Sequence, residues 1–345
     1  DYSGGASCPS LLLEPQRSNL FEQSEYFGNS YWQKTNATIT DNITTSPEGL
    51  VNAAALTENT SSSTHFIKSV TISASASTYY SASYFVKYNG RHFQILGSTG
   101  SEGGGYVNFD LINGEVGSSD QIVGAIEPLG NGWFKCSGTN ITSSSATEIR
   151  LLPYLCTSKT SSRAESYLGD GTSGVYIFGA MLEQGSYPTS YIPTYGSAVT
   201  RSADSTSAIN VSSIGVTTNY TLFYELGDFN VSVGATWLSQ ASNSGAPYQV
   251  YGNTAVIKTS TGDVYPFSHG NIGTQFKVAV SFDGTNINVF TNGVKRGTWI
   301  ANSIVWSSFG NLYLNLSPVQ MVNWKQLLVF PTALTDSEAI ALTTI

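Results

Sequence analysis

The chain has 345 residues, enough for two domains with cores of their own, and only 11% of it is charged. A net charge of −8 argues against nucleic acid and anionic membrane surfaces, both of which are held by cationic contacts. No apolar run reaches the roughly 18–20 residues of a membrane span, so no membrane insertion is expected.

The 34 Gly and 20 Tyr, with abundant Ser, Thr and Asn, suit short strands joined by tight turns and suit helices poorly. The cysteines Cys8, Cys136 and Cys156 are too few, and odd in number, for a disulfide framework. If 133–138 and 149–156 formed a hairpin, Cys136 would face a residue near position 152, not Cys156. Free thiols indicate folding in a reducing cytosol. The chain opens on Asp1 without a visible signal peptide, as a piece of a longer chain would.

Residues 1–18 read as a polar, Gly-rich tether whose apolar run Leu11-Leu12-Leu13 docks as a short strand on the first domain. An aromatic cluster follows, Phe21, Tyr26, Phe27, Tyr31 and Trp32. In TYYSASYFVKY, Tyr80, Ala82, Tyr84 and Val86 share one face; in RHFQIL, Phe93 and Ile95 do so; in YVNFDLI, Val107, Phe109 and Leu111. WFKCSG and EIRLLPYLC are further strands. Asn89-Gly90, Asn113-Gly114 and Asn131-Gly132 favour the left-handed dihedrals of hairpin turns, so the pattern predicts an antiparallel meander. In GVYIFGAMLEQ both parities are apolar, as in a strand buried on both faces. Pro188 and Pro193 then hold the backbone extended.

These strands make a first domain over 19–195, a linker over 196–207 and a second strand series over 208–345. In the second series Val278, Val280 and Phe282 alternate inward, and Asp283-Gly284 and Asn292-Gly293 turn. Thr335 and Glu338 form a Thr-x-x-Glu capping box before AIAL, which predicts one short C-terminal helix. The fold class is all-β, two antiparallel sandwich (jelly-roll) domains in tandem.

Two resemblances bear on function. The Asn-Leu-Phe opening and its aromatic cluster resemble the first strand of carbohydrate-binding jelly rolls, and NGWFKCSG and GAMLEQGSYPTSYIPT resemble a module recurrent in bacteriophage tail-fibre and receptor-binding proteins. The matching positions are Gly179, Leu182, Glu183, Gly185, Thr189, Ser190, Tyr191, Ile192, Pro193 and Thr194, with Met181 where Gln is common. FDGTNINVFTNGV with LLVFPTALTDSEAIAL resembles laminin-G-like and concanavalin-A-like domains. Together they imply a non-catalytic adhesin that binds a host cell-surface glycan or polysaccharide. It would be trimeric and carried on a virion, or else extracellular on a bacterial surface. The alternatives are tandem carbohydrate-binding modules of a secreted polysaccharide-degrading enzyme, and a structural spacer of a fibre.

The residues themselves show little catalytic chemistry. His65, His92 and His269 are widely separated, fit no triad or metal motif, and read as surface or turn residues. The glycine-rich stretch 97–105 lies between strands and reads as a loop, not a phosphate cradle. Glu225 and Asp228 have the wrong parity for a glycosidase pair on one strand face.

Sugar binding would combine an exposed aromatic ring, stacked on a pyranose, with polar side chains that bond its hydroxyls. Candidates are Tyr154, then Arg163 and Tyr167 in the loop 160–174, and Trp237, Tyr248, Tyr251, Tyr265 and His269 in the second domain. Trp133 reads as core. Asp170 and Glu183 could hold a structural Ca2+ at the domain edge, an ion that needs several oxygen ligands.

Overall fold

The computed structural model describes residues 11–97, 104–204, 209–210, 219–227, 248–251, 254–258, 264–268, 275–300, 311–312 and 322–345. It forms two compact units: Arg17–Arg201, and Ser202–Ile345 together with the segment ending at Gln16. The Arg17–Arg201 unit is thus interposed in the sequence of the other.

That unit is a sandwich of two six-stranded antiparallel sheets. The first runs, in spatial order, Glu115–Asp120, Tyr106–Asp110, His92–Gly97, Leu151–Cys156, Phe66–Lys68 and Gln33–Thr35. The second runs Val123–Gly130, Trp133–Ile141, Tyr79–Asn89, Gly174–Gln184, Val51–Glu58 and Ala37–Thr45. Period-2 alternation sends Tyr80, Ala82, Tyr84 and Val86 of the second sheet against Phe93, Ile95, Val107, Phe109, Leu151 and Leu155 of the first, in one buried cluster.

The aromatic cluster near the N-terminus is not a first strand. Only Arg17–Asn19 is extended, pairing with Val199–Arg201 inside the stretch expected to be a linker. Phe21, Phe27, Tyr31 and Trp32 then arrive on turns and pack into the same core, the Phe21–Trp32 ring centroids 5.0 Å apart. The buried Asn19 amide holds this segment, donating to the Ala180 and Ile192 carbonyls and accepting from the Phe21 and Leu182 N–H groups.

The meander holds only in part. Asn113-Gly114 and Asn131-Gly132 do close hairpins, with Asn131 at φ 52° and Gly132 at φ 77°. After Asn89-Gly90, however, the chain crosses to the opposite sheet, since Tyr79–Asn89 and His92–Gly97 belong to different sheets. A local preference for left-handed backbone fixes a turn without fixing which strand comes next. Trp133–Ile141 and Leu151–Cys156 likewise lie in opposite sheets, so the conditional hairpin between them does not form. Cys136 and Cys156 are free and buried; Cys8 lies outside the described residues.

Gly174–Gln184 is covered on both faces, as its two apolar parities predict. A bulge resets its alternation: Gly179 at φ 59° shifts the register between Phe178 and Met181. Val175, Ile177, Ala180 and Leu182 therefore all enter the core, while Phe178 faces out onto Phe85, Tyr176, Tyr191 and Trp133. Only Gly fits at this point, because a Cβ would stand 2.4 Å from Phe85 Cδ2.

In the second unit a six-stranded sheet runs Leu11–Leu13, Val322–Phe330, Tyr220–Gly227, Gln275–Phe282, Asn286–Thr291 and Val294–Ile300. Leu11–Leu13 is therefore an edge strand of this unit, with Leu11 opposite Trp324, and does not dock on the first domain as expected. The exposed backbone of Val322–Phe330 supplies the ladder it needs. The helix Asp336–Thr343 has the expected Thr335/Glu338 capping box and buries Ala339 against Phe223, Ala279 and Phe290. Among the described residues no helix is long and apolar enough to cross a membrane.

Candidate functional site

Four of the residues picked from sequence lie in or beside the loop 157–174: Tyr154 is buried, Arg163 and Tyr167 are half-buried, and Asp170 is exposed. Tyr154 points outward from the first sheet but is 8% exposed, its ring stacked on Phe66 at 4.2 Å and 5°. Burial pushes its hydroxyl up to about 12. It is no platform for a sugar ring. Arg163 lies beside it and donates from Nη2 to the Gly97 carbonyl at 2.6 Å.

Tyr167 and Asp170 join a second cluster, centred on a carboxylate the sequence reading passed over. Glu58 has no exposed side-chain area. It takes both Arg91 hydrogen bonds at 2.8 and 2.6 Å, the Tyr167 hydroxyl at 2.8 Å and the Asp170 N–H at 2.7 Å. Burial first, and then the bond to Glu58, push the Tyr167 hydroxyl far up. Asp170 accepts from the hydroxyls and N–H groups of Thr172 and Ser173, and these bonds hold its carboxyl well below the usual range. His65 is fully buried against Tyr167, with Nδ1 2.7 Å from the Asn36 carbonyl, which corrects its reading as a surface residue. His92 is half-buried, and its Nδ1 accepts from the Leu111 N–H.

Glu183 shares no partner with Asp170. It is fully buried, accepts both Thr189 donors and lies 3.4 Å from Arg17. Among the described residues no three His, Cys, Asp or Glu side chains form a group able to hold a metal ion. Trp133 is core, 3% exposed, its indole N–H on the Thr45 carbonyl.

Trp237, His269 and Asp228 lie outside the described residues. Tyr248, Ile257 and Tyr265 occupy one register row across the strands Tyr248–Tyr251, Thr254–Lys258 and Val264–Ser268. Tyr251 stands opposite Thr254.

The exposed aromatic surface lies elsewhere, on the segment that leaves the outer face of the second sheet. Tyr195 is 73% exposed, ahead of Tyr26 (54%), Tyr79 (50%) and Tyr88 (38%) among the described tyrosines. The backbone under Tyr195 is pinned on both sides. Thr194 exchanges backbone and hydroxyl bonds with the buried Ser24, Tyr195 bridges to Gln23, and Gly196 N–H donates to the Glu22 carbonyl. Glu25 faces the Tyr195 hydroxyl and accepts from the Tyr191 hydroxyl at 3.1 Å. Partial burial, and then Glu25, raise the Tyr195 hydroxyl from its ordinary value. Stacking on a pyranose needs a bare ring on fixed backbone with a polar group beside it, and Tyr195 has the ring, the mount and the Glu25 carboxylate. The one signal for it in the sequence is a Tyr just past the Pro-held Ile192-Pro193-Thr194.

No protein-family model and no curated protein matches the sequence. Among solved structures the chain is similar to the CBM40 module of an IT-sialidase of Ruminococcus gnavus. The form bound to alpha2,3 sialyllactose is 12% identical over 41% of this chain and 94% of that one, with a TM-score of 0.34. The form bound to alpha2,6 sialyllactose is 13% identical over the same shares, with a TM-score of 0.33. Domains LG4-5 of the mouse laminin alpha1 chain are 9% identical over 96% of both chains, with a TM-score of 0.25. These are likenesses of fold only. The chain is an all-β protein of antiparallel sheets, consistent with jelly-roll sandwiches.

Proposed function

We propose that this protein is a non-catalytic glycan-binding adhesin and that the surface around Tyr195 is a binding face. The observation that carries this is the combination of 73% exposure with a backbone fixed by Gln23, Ser24 and Glu22. A ring left in water on a rigid mount loses little entropy when a sugar stacks on it. Gln23 and Glu25 supply an amide and a carboxylate for the hydroxyls.

The non-catalytic part rests on how the buried carboxylates are used. Glu58, Glu183 and Asp110 each commit both oxygens to hydrogen bonds within the fold. None of these three is left to act as the proton donor or nucleophile of a glycosidase pair. The finer reading is a phage tail-fibre or virion receptor-binding protein, and it is supported by the resemblance of the segment Gly179–Thr194. Trimeric display would strengthen weak single-site contacts.

A glycan array probed with the full chain and with Tyr195→Ala tests the reading. Binding by the wild type that is lost in the folded variant supports it, and equal binding by both removes Tyr195 from the site.

A further inference from the structure

The outer face of the first sheet holds an arginine that meets no carboxylate among the described residues, on a loop clamped by buried side chains. Three arginines of this sandwich face carboxylates: Arg17 meets Glu183, Arg91 meets Glu58, and Arg150 meets Glu148. Arg163 has no carboxylate within 4.0 Å among the described residues. Its Nη2 is used on the Gly97 carbonyl, and its Nε is buried with no acceptor. The side chain as a whole is only half-buried, so beyond that closed Nε the accessible part of a permanently charged guanidinium is open to a partner.

The loop is held in place by buried side chains. Gln94 and Asn108, 1% and 0% exposed, bond each other at 2.6 Å. Gln94 donates to the Ser162 carbonyl and accepts from the Ala164 N–H, which clamps the residues on both sides of Arg163. Asn108 holds the Lys159 and Ser161 carbonyls. Beneath lies a sealed apolar floor of Leu96, Leu152 and Tyr154, with Phe66 beside it. Strand alternation puts Lys68 on this same outward face, because Ile67 between Phe66 and Lys68 points into the core. Lys68 also has no carboxylate within 4.0 Å among the described residues.

We propose that Arg163, with the Tyr154 hydroxyl beside it and Lys68 elsewhere on the same sheet face, forms a subsite for the carboxylate of an acidic sugar. A guanidinium binds a carboxylate through paired N–H donors, and partial burial strengthens that bond relative to one in open water. Burial keeps the Tyr154 hydroxyl protonated and therefore a donor. The subsite goes beyond the neutral stacking surface at Tyr195 and lies on the other sheet, so each can fail without the other.

D-glucuronate and D-glucose, which differ at the carboxylate, are titrated separately into the isotope-labelled full chain, with sodium acetate as a third probe. The readout is the Arg163 Nε–H resonance, assigned by its disappearance in Arg163→Lys. The expected result is saturable movement with glucuronate, at least tenfold weaker binding of glucuronate by a folded Arg163→Gln, and no response to glucose. Acetate matching glucuronate would mean an adventitious anion only and overturn the sugar assignment. No movement with glucuronate, or unchanged binding by Arg163→Gln, would overturn the subsite. Loss of neutral-glycan binding in Tyr195→Ala bears on the other face and leaves this one standing.

Discussion

Glu58→Ala is the sharpest test of how the loop 157–174 is held. The carboxylate is fully buried and accepts four hydrogen bonds: two from Arg91, one from Tyr167 and one from the Asp170 N–H. Removing one partner of a buried ion pair costs about 3–5 kcal/mol, because the charge left behind has lost both water and partner. The Arg91 side chain is 18% exposed and can recover some hydration, so the expected loss is about 3 kcal/mol. For a domain the size of the Arg17–Arg201 unit this lowers Tm by about 6–12 °C.

Calorimetry of the full chain, following the transition of this unit, is the assay. Arg91→Leu alone costs at least as much, because it strands the more buried charge. The double variant Glu58→Ala/Arg91→Leu is then less destabilised than the sum of the singles by about 1–3 kcal/mol. A Tm loss under about 2 °C for Glu58→Ala, or a strictly additive cycle, would refute the claim that this pair organises the loop.

Three further outcomes are expected. Burial lowers the pKa of His92 from 6.5, so between its folded value and 6.5 the unfolded chain binds the extra proton. This contribution to stability is complete above pH 6.5 and is lost as pH falls below it. Asp110 and Lys159, the charged neighbours, titrate outside that window. Urea midpoints at pH 7.5 and 5.5 should therefore differ more for wild type than for His92→Gln, and equal differences would contradict the assignment. Gly179→Ala combines a left-handed residue with a Cβ pressed into the Phe85 ring and should cost about 2–4 kcal/mol in denaturant titration. A loss below 1 kcal/mol would mean the bulge relaxes freely. Trp133→Phe removes the indole bond to the Thr45 carbonyl and should cost about 1 kcal/mol while leaving glycan binding intact, with lost binding the contrary result.

Which parts of this architecture can be seen in the sequence follows from how local their causes are. The alternation of Tyr80, Ala82, Tyr84 and Val86 is legible because one sheet face is core and the other is not. The Thr335/Glu338 cap is legible because it is complete within four residues. Val51–Glu58 went unread because its inward positions are filled partly by alanines, which carry little strand signal. Leu11–Leu13 shows that it is a strand without showing that its partner is Val322–Phe330, at the far end of the chain.

The same limit governs the site. Tyr154 and Tyr167 have the composition of sugar-stacking residues, and what disqualifies Tyr154 is Phe66, brought in by another strand. What claims Tyr167 is Glu58, more distant still in sequence. Arg163 is visible as a residue type, but its lack of a carboxylate partner among the described residues is not. Tyr195 is not legible as a site because its backbone is fixed by Gln23 and Ser24, far upstream.

Whether Tyr195 presents a sugar-binding ring is decided by calorimetric titration of the best array glycan into wild type and Tyr195→Ala. Saturable binding by wild type is expected, weakened at least tenfold (about 1.4 kcal/mol) in a variant with unchanged Tm. Equal affinity in the two proteins, or no glycan bound by the folded wild type, would contradict it.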